Sequence, residues 1–521
     1  MSERWNRLAW LSVMLVAFFH GALYATFLPP WGMIDEPAHF HYIQYLADHG
    51  STPVAGETLL SADIIDSMFE TQHWRAFHWQ APESREPQDM GLVGHSYEGY
   101  HPPLFYALFV PLYHILPEDV LVKLYGLRLA AVGLSLMTVW IACRIALELS
   151  SRNHIFAWSV GLFLALLPER AASISRVNND VLLEVLAAAF LWVCTRAVVG
   201  GLTTRRSLSL GVLLGLGVWT KTSMSVLGIL LPLVLWVNRR SSKRLLHALI
   251  SAGSALVLIV PLLAWNLSRY GDWTGYSAFA ALYTIPAPPL SWPSLLSAIW
   301  DLFCHNWLVW WKGVVTKPGP VVSAVYVMLA LLSGYSLAGL VRSWWKQYKT
   351  HREDRRLQIP VLYAIAVGSY GLAVLISYLS GRIPVILGRF FLPVVVPCAI
   401  LLIGGLWHVP HREILLPLTL LFLAVLGLLA LFGNLLPYYY YWSAVVAGDI
   451  APWQTSGWQQ AWATFYHRFL SDKPVAGPTL LLILVLYLAS LILTMGVYQR
   501  LIRQLPPPFC GVESPRRGVS G

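Results

Sequence analysis

Residues 8–41 read LAWLSVMLVAFFHGALYATFL and then PPWGMIDEPAHFH. The first part is an unbroken apolar run, long enough to cross a bilayer core of about 30 Å. The second turns polar at Pro29-Pro30 and sets two adjacent carboxylates, Asp35 and Glu36, at an expected helix start. His39 follows one helical turn after Asp35, on the same face. Arg4 and Arg7 precede the run and no small-residue cleavage site follows it, so 8–28 is expected to be a retained signal anchor. A span that empties into a cluster of titratable groups predicts chemistry at a membrane surface.

The rest of the chain repeats the pattern. Hydrophobic residues make up 57% of the 521 and charged residues only 12%. Apolar runs recur at 120–147, 156–167, 181–199, 208–219, 224–237, 245–265, 321–340, 360–379, 390–406, 415–435 and 479–498. The expected fold class is an all-α polytopic membrane protein of about twelve spans, one transmembrane domain over 1–521. A β-barrel would show short alternating segments instead. Three long polar or interfacial segments, 29–119, 266–320 and 436–475, are expected on the outer face, the first carrying short juxtamembrane helices. The run after Pro103 is too short to cross and should lie at the surface.

The net charge of +10 does not imply a nucleic-acid partner. The basic residues gather in short loops between spans, most densely from Arg342 to Arg356, which is the positive-inside pattern. It places both termini in the cytoplasm and residues 29–119 outside, in a cell inner or plasma membrane. Cys143, Cys194, Cys304, Cys398 and Cys510 show neither metal-ligand spacing nor a disulfide framework.

Four motifs resemble the GT-C class of membrane glycosyltransferases: Pro30-x4-Asp35-Glu36-Pro37-Ala38-His39, His101-Pro102-Pro103-Leu104, Asn178-Asn179-Asp180 and Thr220-Lys221. The likeness is to bacterial members with a P-P-x-D-E-P-A-H opening, and more distantly to protein O-mannosyltransferases and the lipid A aminoarabinose transferase. Gly388-Arg389-Phe390-Phe391-Leu392-Pro393 adds to it. The resemblance implies a GT-C-like bundle, a polyprenyl-phosphate-sugar donor and transfer to a glycan, lipid or protein acceptor at the extracytoplasmic face. It implies Asp35 as the essential first-loop acid, Asp180 as the second, and Lys221 and Arg389 as contacts to the donor phosphate. Glu36, beside Asp35, is a further catalytic candidate, and Arg176, another outer-side cation, a further phosphate contact.

The residues themselves allow blander roles. Asp35 could simply cap the helix that begins at Glu36. Glu36, His39 and His41 could hold a divalent cation (Mn or Mg) with Asp35, although His39 and His41 fall on different helix faces. His101 is a further substrate or metal candidate. Asp180 could cap its helix, Glu184 could pair with a neighbouring base, and Lys221 could snorkel. Trp74, Trp79 and Trp442 are candidates to stack on a sugar. A lipid-linked-sugar flippase or a surface-glycan polymerase or ligase is the alternative function, but the chain shows no repeated halves and keeps its acids at one membrane edge.

Overall fold

The structure is a computed structural model that describes residues 3–33, 35–77, 80–283, 286–307, 320–383, 386–442, 445 and 457–502. The chain is a multi-pass helical membrane protein. Among the described residues, nine helices are long and apolar enough to cross a bilayer, from Arg7–Phe27 to Gly477–Ile502. The apolar pair α7 (His154–Leu166) and α8 (Pro168–Ile174) is bent by 62° where Leu167 meets Pro168, and taken as one broken span it makes ten. Proline has no N–H to donate, so it starts a helix readily and cannot continue one. The two remaining expected spans are shorter as helices: α10 (Thr204–Thr220) and the segment Thr222–Val237.

The centre of the bundle is α1 (Glu3–Phe27), α6 (Val120–Leu149), α7 and α9 (Asp180–Gly200), which pack on one another and share most of the buried apolar side chains. Arg244–Tyr270 and Ser323–Thr350 lie outermost and leave apolar residues such as Leu249, Val257 and Leu331 exposed. Hydrocarbon is the solvent that such a surface requires.

The first polar segment is fixed to the bundle by a core of its own. α2 (Glu36–His49) packs on α5 (Leu104–Ile115), and Trp31, Phe40, Tyr42, Ile64 and Tyr106 bury themselves with Leu124 and Leu127 of α6. The Tyr42 and Tyr106 rings stack at 3.7 Å. Each such side chain stabilises the folded state by about 2–3 kcal/mol through burial, so this segment is a rigid platform. As expected from its 12 residues, α5 does not reach across a bilayer. Cys143, Cys194, Cys304 and Cys398 are free thiols, and Cys510 lies outside the described residues.

Candidate functional site

The site begins at the turn between α1 and α2. Gly32 N–H closes the turn onto Pro29 O at 3.2 Å, and Trp31 sits fully buried at φ 55°. A bulky residue at positive φ is strained and persists only where its surroundings hold it. Here the indole N–H donates to Ser67 Oγ at 2.9 Å and His73 Nδ1 bonds the Trp31 carbonyl at 3.0 Å. α2 then runs from Glu36, with Pro37 in its first turn, to Gly50, whose left-handed backbone at φ 63° ends it.

Asp35 occupies the N-cap position of α2, yet its side chain makes no capping bond. It turns instead to Arg389, with which it forms an ion pair, and accepts a hydrogen bond from Tyr97 Oη at 3.1 Å. Arg389 sits in the turn Gly388–Val394 that leads into the helix beginning at Val395. It also contacts Met33 Sδ at 3.0 Å. The capping role that the sequence allowed for Asp35 is therefore not its contact.

A second pair stands beside the first. Asp180, at the first position of α9, meets Lys221 Nζ at 2.6 Å where α10 ends. Asp35, Asp180 and Glu98 all act electrostatically on Arg389, and both Arg389 and Lys221 act on His39. Four residues distant in sequence are thus brought to one end of the bundle. His101 joins them through Glu98, at 2.8 Å, and its ring lies parallel to His39 at 6.1 Å.

Several polar atoms here have no hydrogen-bond partner among the described residues although they are buried: Asp180 Oδ2, Asn179 Oδ1, Arg176 Nε, His101 Nδ1 and Arg389 Nε. Each such atom costs about 1–3 kcal/mol unless something satisfies it. Those beside the two ion pairs are open to a polar ligand.

Residues 101–265 match the family described as dolichyl-phosphate-mannose-protein mannosyltransferase, a stretch that includes His101, Asp180 and Lys221. The chain is similar over its length to ArnT from Cupriavidus metallidurans bound to undecaprenyl phosphate. The TM-score is 0.51 at 14% identity, covering 96% of this chain and 79% of that one. The fold is that of the GT-C membrane glycosyltransferases. The same ArnT in its apo state gives 0.47 at 14% identity, covering 95% of this chain and 76% of that one. The Archaeoglobus fulgidus oligosaccharyltransferase, in complex with Zn and sulfate, gives 0.38 at 11%, covering 84% and 52%. No curated protein matches the chain by sequence.

Not every sequence candidate reaches the two ion pairs of this GT-C bundle. Glu36 points the other way, into a fully buried pair with Arg128 of α6, whose Nε donates at 2.8 Å. Arg176 is buried, with a long contact of 3.5 Å to Tyr439 Oη, which itself donates to Gly32 O at 2.6 Å. His39 bonds Tyr106 Oη at 2.8 Å and His41 bonds Ser96 Oγ at 3.0 Å, so the two imidazoles serve different faces of α2. Among the described residues, no three His, Cys, Asp or Glu side chains group to hold a metal ion. Glu184 pairs with Arg170 at 2.6 Å, as its plainer reading allowed. Trp74 is buried against Phe69 and His73. Trp79 and the Trp442 side chain lie outside the described residues.

The residues that sequence reading missed are Tyr97, Glu98, Tyr439 and Arg128. Arg128 carried a signal, because an arginine in the middle of an apolar run needs a partner inside the protein. It holds the site together. Its guanidinium takes Glu36, Pro29 O at 2.8 Å, and Ala25 O and Leu28 O at 3.3 Å. Glu36 accepts in turn from Val177 N–H at 3.1 Å, just before Asp180. One buried pair therefore fixes both acid-bearing segments against α6.

The platform also predicts a pH response. Burial pushes the imidazole of His39 down to about 3, and those of His41 and His73 down to about 4. All three are neutral when folded at pH 7 and become protonated more readily when unfolded. Their stabilising contribution is complete above pH 6.5 and is lost as pH falls below it. His41→Gln should therefore lose less stability than the wild type between pH 7.5 and pH 5, by about 1–2 kcal/mol. Thermal unfolding in neutral detergent at the two pH values checks this, and equal losses would mean that His41 does not titrate on unfolding.

Proposed function

We propose that this protein transfers a sugar from a polyprenyl-phosphate donor to a hydroxyl of a glycan, lipid or protein acceptor, at the extracytoplasmic membrane surface. The observation that carries this reading is the pairing of two carboxylates, Asp35 half-buried and Asp180 buried, with two cations, Arg389 and Lys221, at one end of a GT-C bundle. The undecaprenyl phosphate bound to the similar ArnT supports a lipid phosphate as the donor's carrier. The Lys and Arg bias of the opposite loops supports the outer face.

In this reaction the acceptor oxygen attacks the anomeric carbon of the donor sugar. The bond from that carbon to the phosphate oxygen breaks, and the acceptor proton passes to Asp35. The departing lipid phosphate takes up the electron pair. Arg389 would exchange Asp35 for phosphate oxygens, and Lys221 would turn its remaining N–H donors to them while staying on Asp180, which stabilises the leaving group. That exchange frees Asp35 as the general base at the moment donor is bound. Asp180 then holds Lys221 in place, while His39 and His101, behind the pairs, support Glu98 and Tyr106.

Arg389→Gln and Lys221→Gln should each raise the KM for the donor by about 10- to 100-fold, the value of one charge-assisted hydrogen bond. Transfer of labelled sugar from a polyprenyl-phosphate donor into membrane glycans measures this, with thermal unfolding as the folding control. Stable variants with unchanged KM would reduce both residues to partners of their carboxylates.

A further inference from the structure

A cavity of about 770 Å³ opens at the other end of the bundle. α9 runs from Asp180 to Gly200, about 30 Å at 1.5 Å per residue, so the cavity beside Gly200 lies on the membrane face opposite the ion pairs. Arg144, Arg152, Arg196, Arg206 and Arg356 line it against one carboxylate, Glu148. Five positive charges less one leave a net of four.

Some of these cations have structural work. Arg206 donates to the carbonyl of Gly200 at 2.9 Å and so caps the end of α9. Arg356 donates to Ser151 Oγ at 2.9 Å, and Arg196 pairs with Glu148 at 3.4 Å. The others do not. Arg152 has no hydrogen bond or ion pair from its side chain among the described residues, and Arg144 touches only the Trp140 ring, at 6.0 Å. His154 Nδ1 is buried without a partner among them. Ser151 and Arg152 both adopt the left-handed backbone, at φ 53° and 67°, and the Arg152 N–H is tied to Leu147 O at 2.8 Å. The turn is held open at a cost, with its arginine over the cavity.

The wall beside the cavity has the complementary character. Met137 and Trp140, three residues apart on α6, are 50% and 43% exposed, and Arg144 continues the same face one turn on. Trp192 of α9 meets Trp140 edge to face at 5.6 Å, and Arg196 lies over the Trp192 ring. Apolar surface at hydrocarbon depth thus leads directly into a basic cavity.

We propose that this cavity binds the headgroup of an anionic phospholipid, its acyl chains lying along Met137, Trp140 and Trp192. The lipid belongs to the leaflet opposite the Asp35 site. A net charge of four in a space larger than one phosphate favours a headgroup that carries two phosphates over one.

The test uses the full-length protein, delipidated in neutral detergent and titrated with mixed micelles of diphosphatidylglycerol, phosphatidylglycerol or phosphatidylcholine. Native mass spectrometry reads the bound lipid. Diphosphatidylglycerol should bind most tightly and phosphatidylcholine least. Arg144→Gln/Arg152→Gln should weaken diphosphatidylglycerol binding about 30-fold, and the exposed Arg152→Gln alone about 5-fold, should the double variant not fold. Lys349→Gln/Arg352→Gln, on the same face outside the cavity, should stay within 3-fold of the wild type. Equal losses in the two double variants would mean bulk surface charge and overturn the site. So would lipid binding without preference for phosphate charge, or inorganic pyrophosphate raising the melting temperature as much as the lipid does.

Discussion

Asp35→Asn is expected to abolish sugar transfer while leaving the protein folded. The asparagine keeps the size of the side chain and an oxygen that can accept from Tyr97 Oη and from Arg389. Because the Asp35 side chain makes no capping bond, α2 loses nothing at its start. What is removed is the capacity to take a proton. Loss of general-base help slows a reaction by about 100- to 10,000-fold. The ion pair with Arg389 becomes a hydrogen bond from its guanidinium to an uncharged amide oxygen, a change of about 1–2 kcal/mol in a partly exposed contact. Transfer of labelled sugar and thermal unfolding of the same preparation separate these effects. A stable variant that transfers sugar at near-normal rate would make Asp35 an anchor for Arg389 and move the base elsewhere, with Asp180 the next candidate.

The bundle was legible because burial in lipid writes itself into the chain as long apolar runs, whatever the helices later touch. Among the described residues nine of those runs form helices long and apolar enough to cross, and the bend at Pro168 was marked by the proline that makes it. Asp35, Asp180, Lys221 and Arg389 were legible as charges at the ends of runs, where membrane energetics leave few bland reasons for them. Their pairing was not. Which cation meets which carboxylate depends on how α9, α10 and the Gly388–Val394 turn cross in space, and no periodicity in one segment encodes that. Tyr97 and Glu98 were invisible for another reason, because they lie in short turns within a polar segment that has no repeating pattern. The role of Glu36 was hidden by its neighbour: two adjacent acids look equivalent in sequence, but successive helical residues point about 100° apart. One therefore faces the site and the other faces α6.

The Glu36–Arg128 pair is expected to give the largest stability effect in the protein. Arg128→Met leaves Glu36 as a fully buried carboxylate whose remaining donor is the Val177 N–H. Removing one partner of a buried pair costs about 3–5 kcal/mol, most of it the stranded charge. Adding Glu36→Gln removes that charge while keeping an oxygen for Val177, so the double variant should be more stable than Arg128→Met alone. It should still fall short of the wild type, because Pro29 O, Ala25 O and Leu28 O lose their common donor. The cycle of wild type, two single variants and the double, followed by thermal unfolding, measures the coupling. It also decides what Glu36 does. If Glu36 only holds the two acid-bearing segments in place, Glu36→Gln/Arg128→Met recovers transfer in step with stability. If Glu36 takes part in the chemistry, transfer stays abolished in the double variant even as the fold recovers, and Glu36 joins Asp35 in the catalytic machinery.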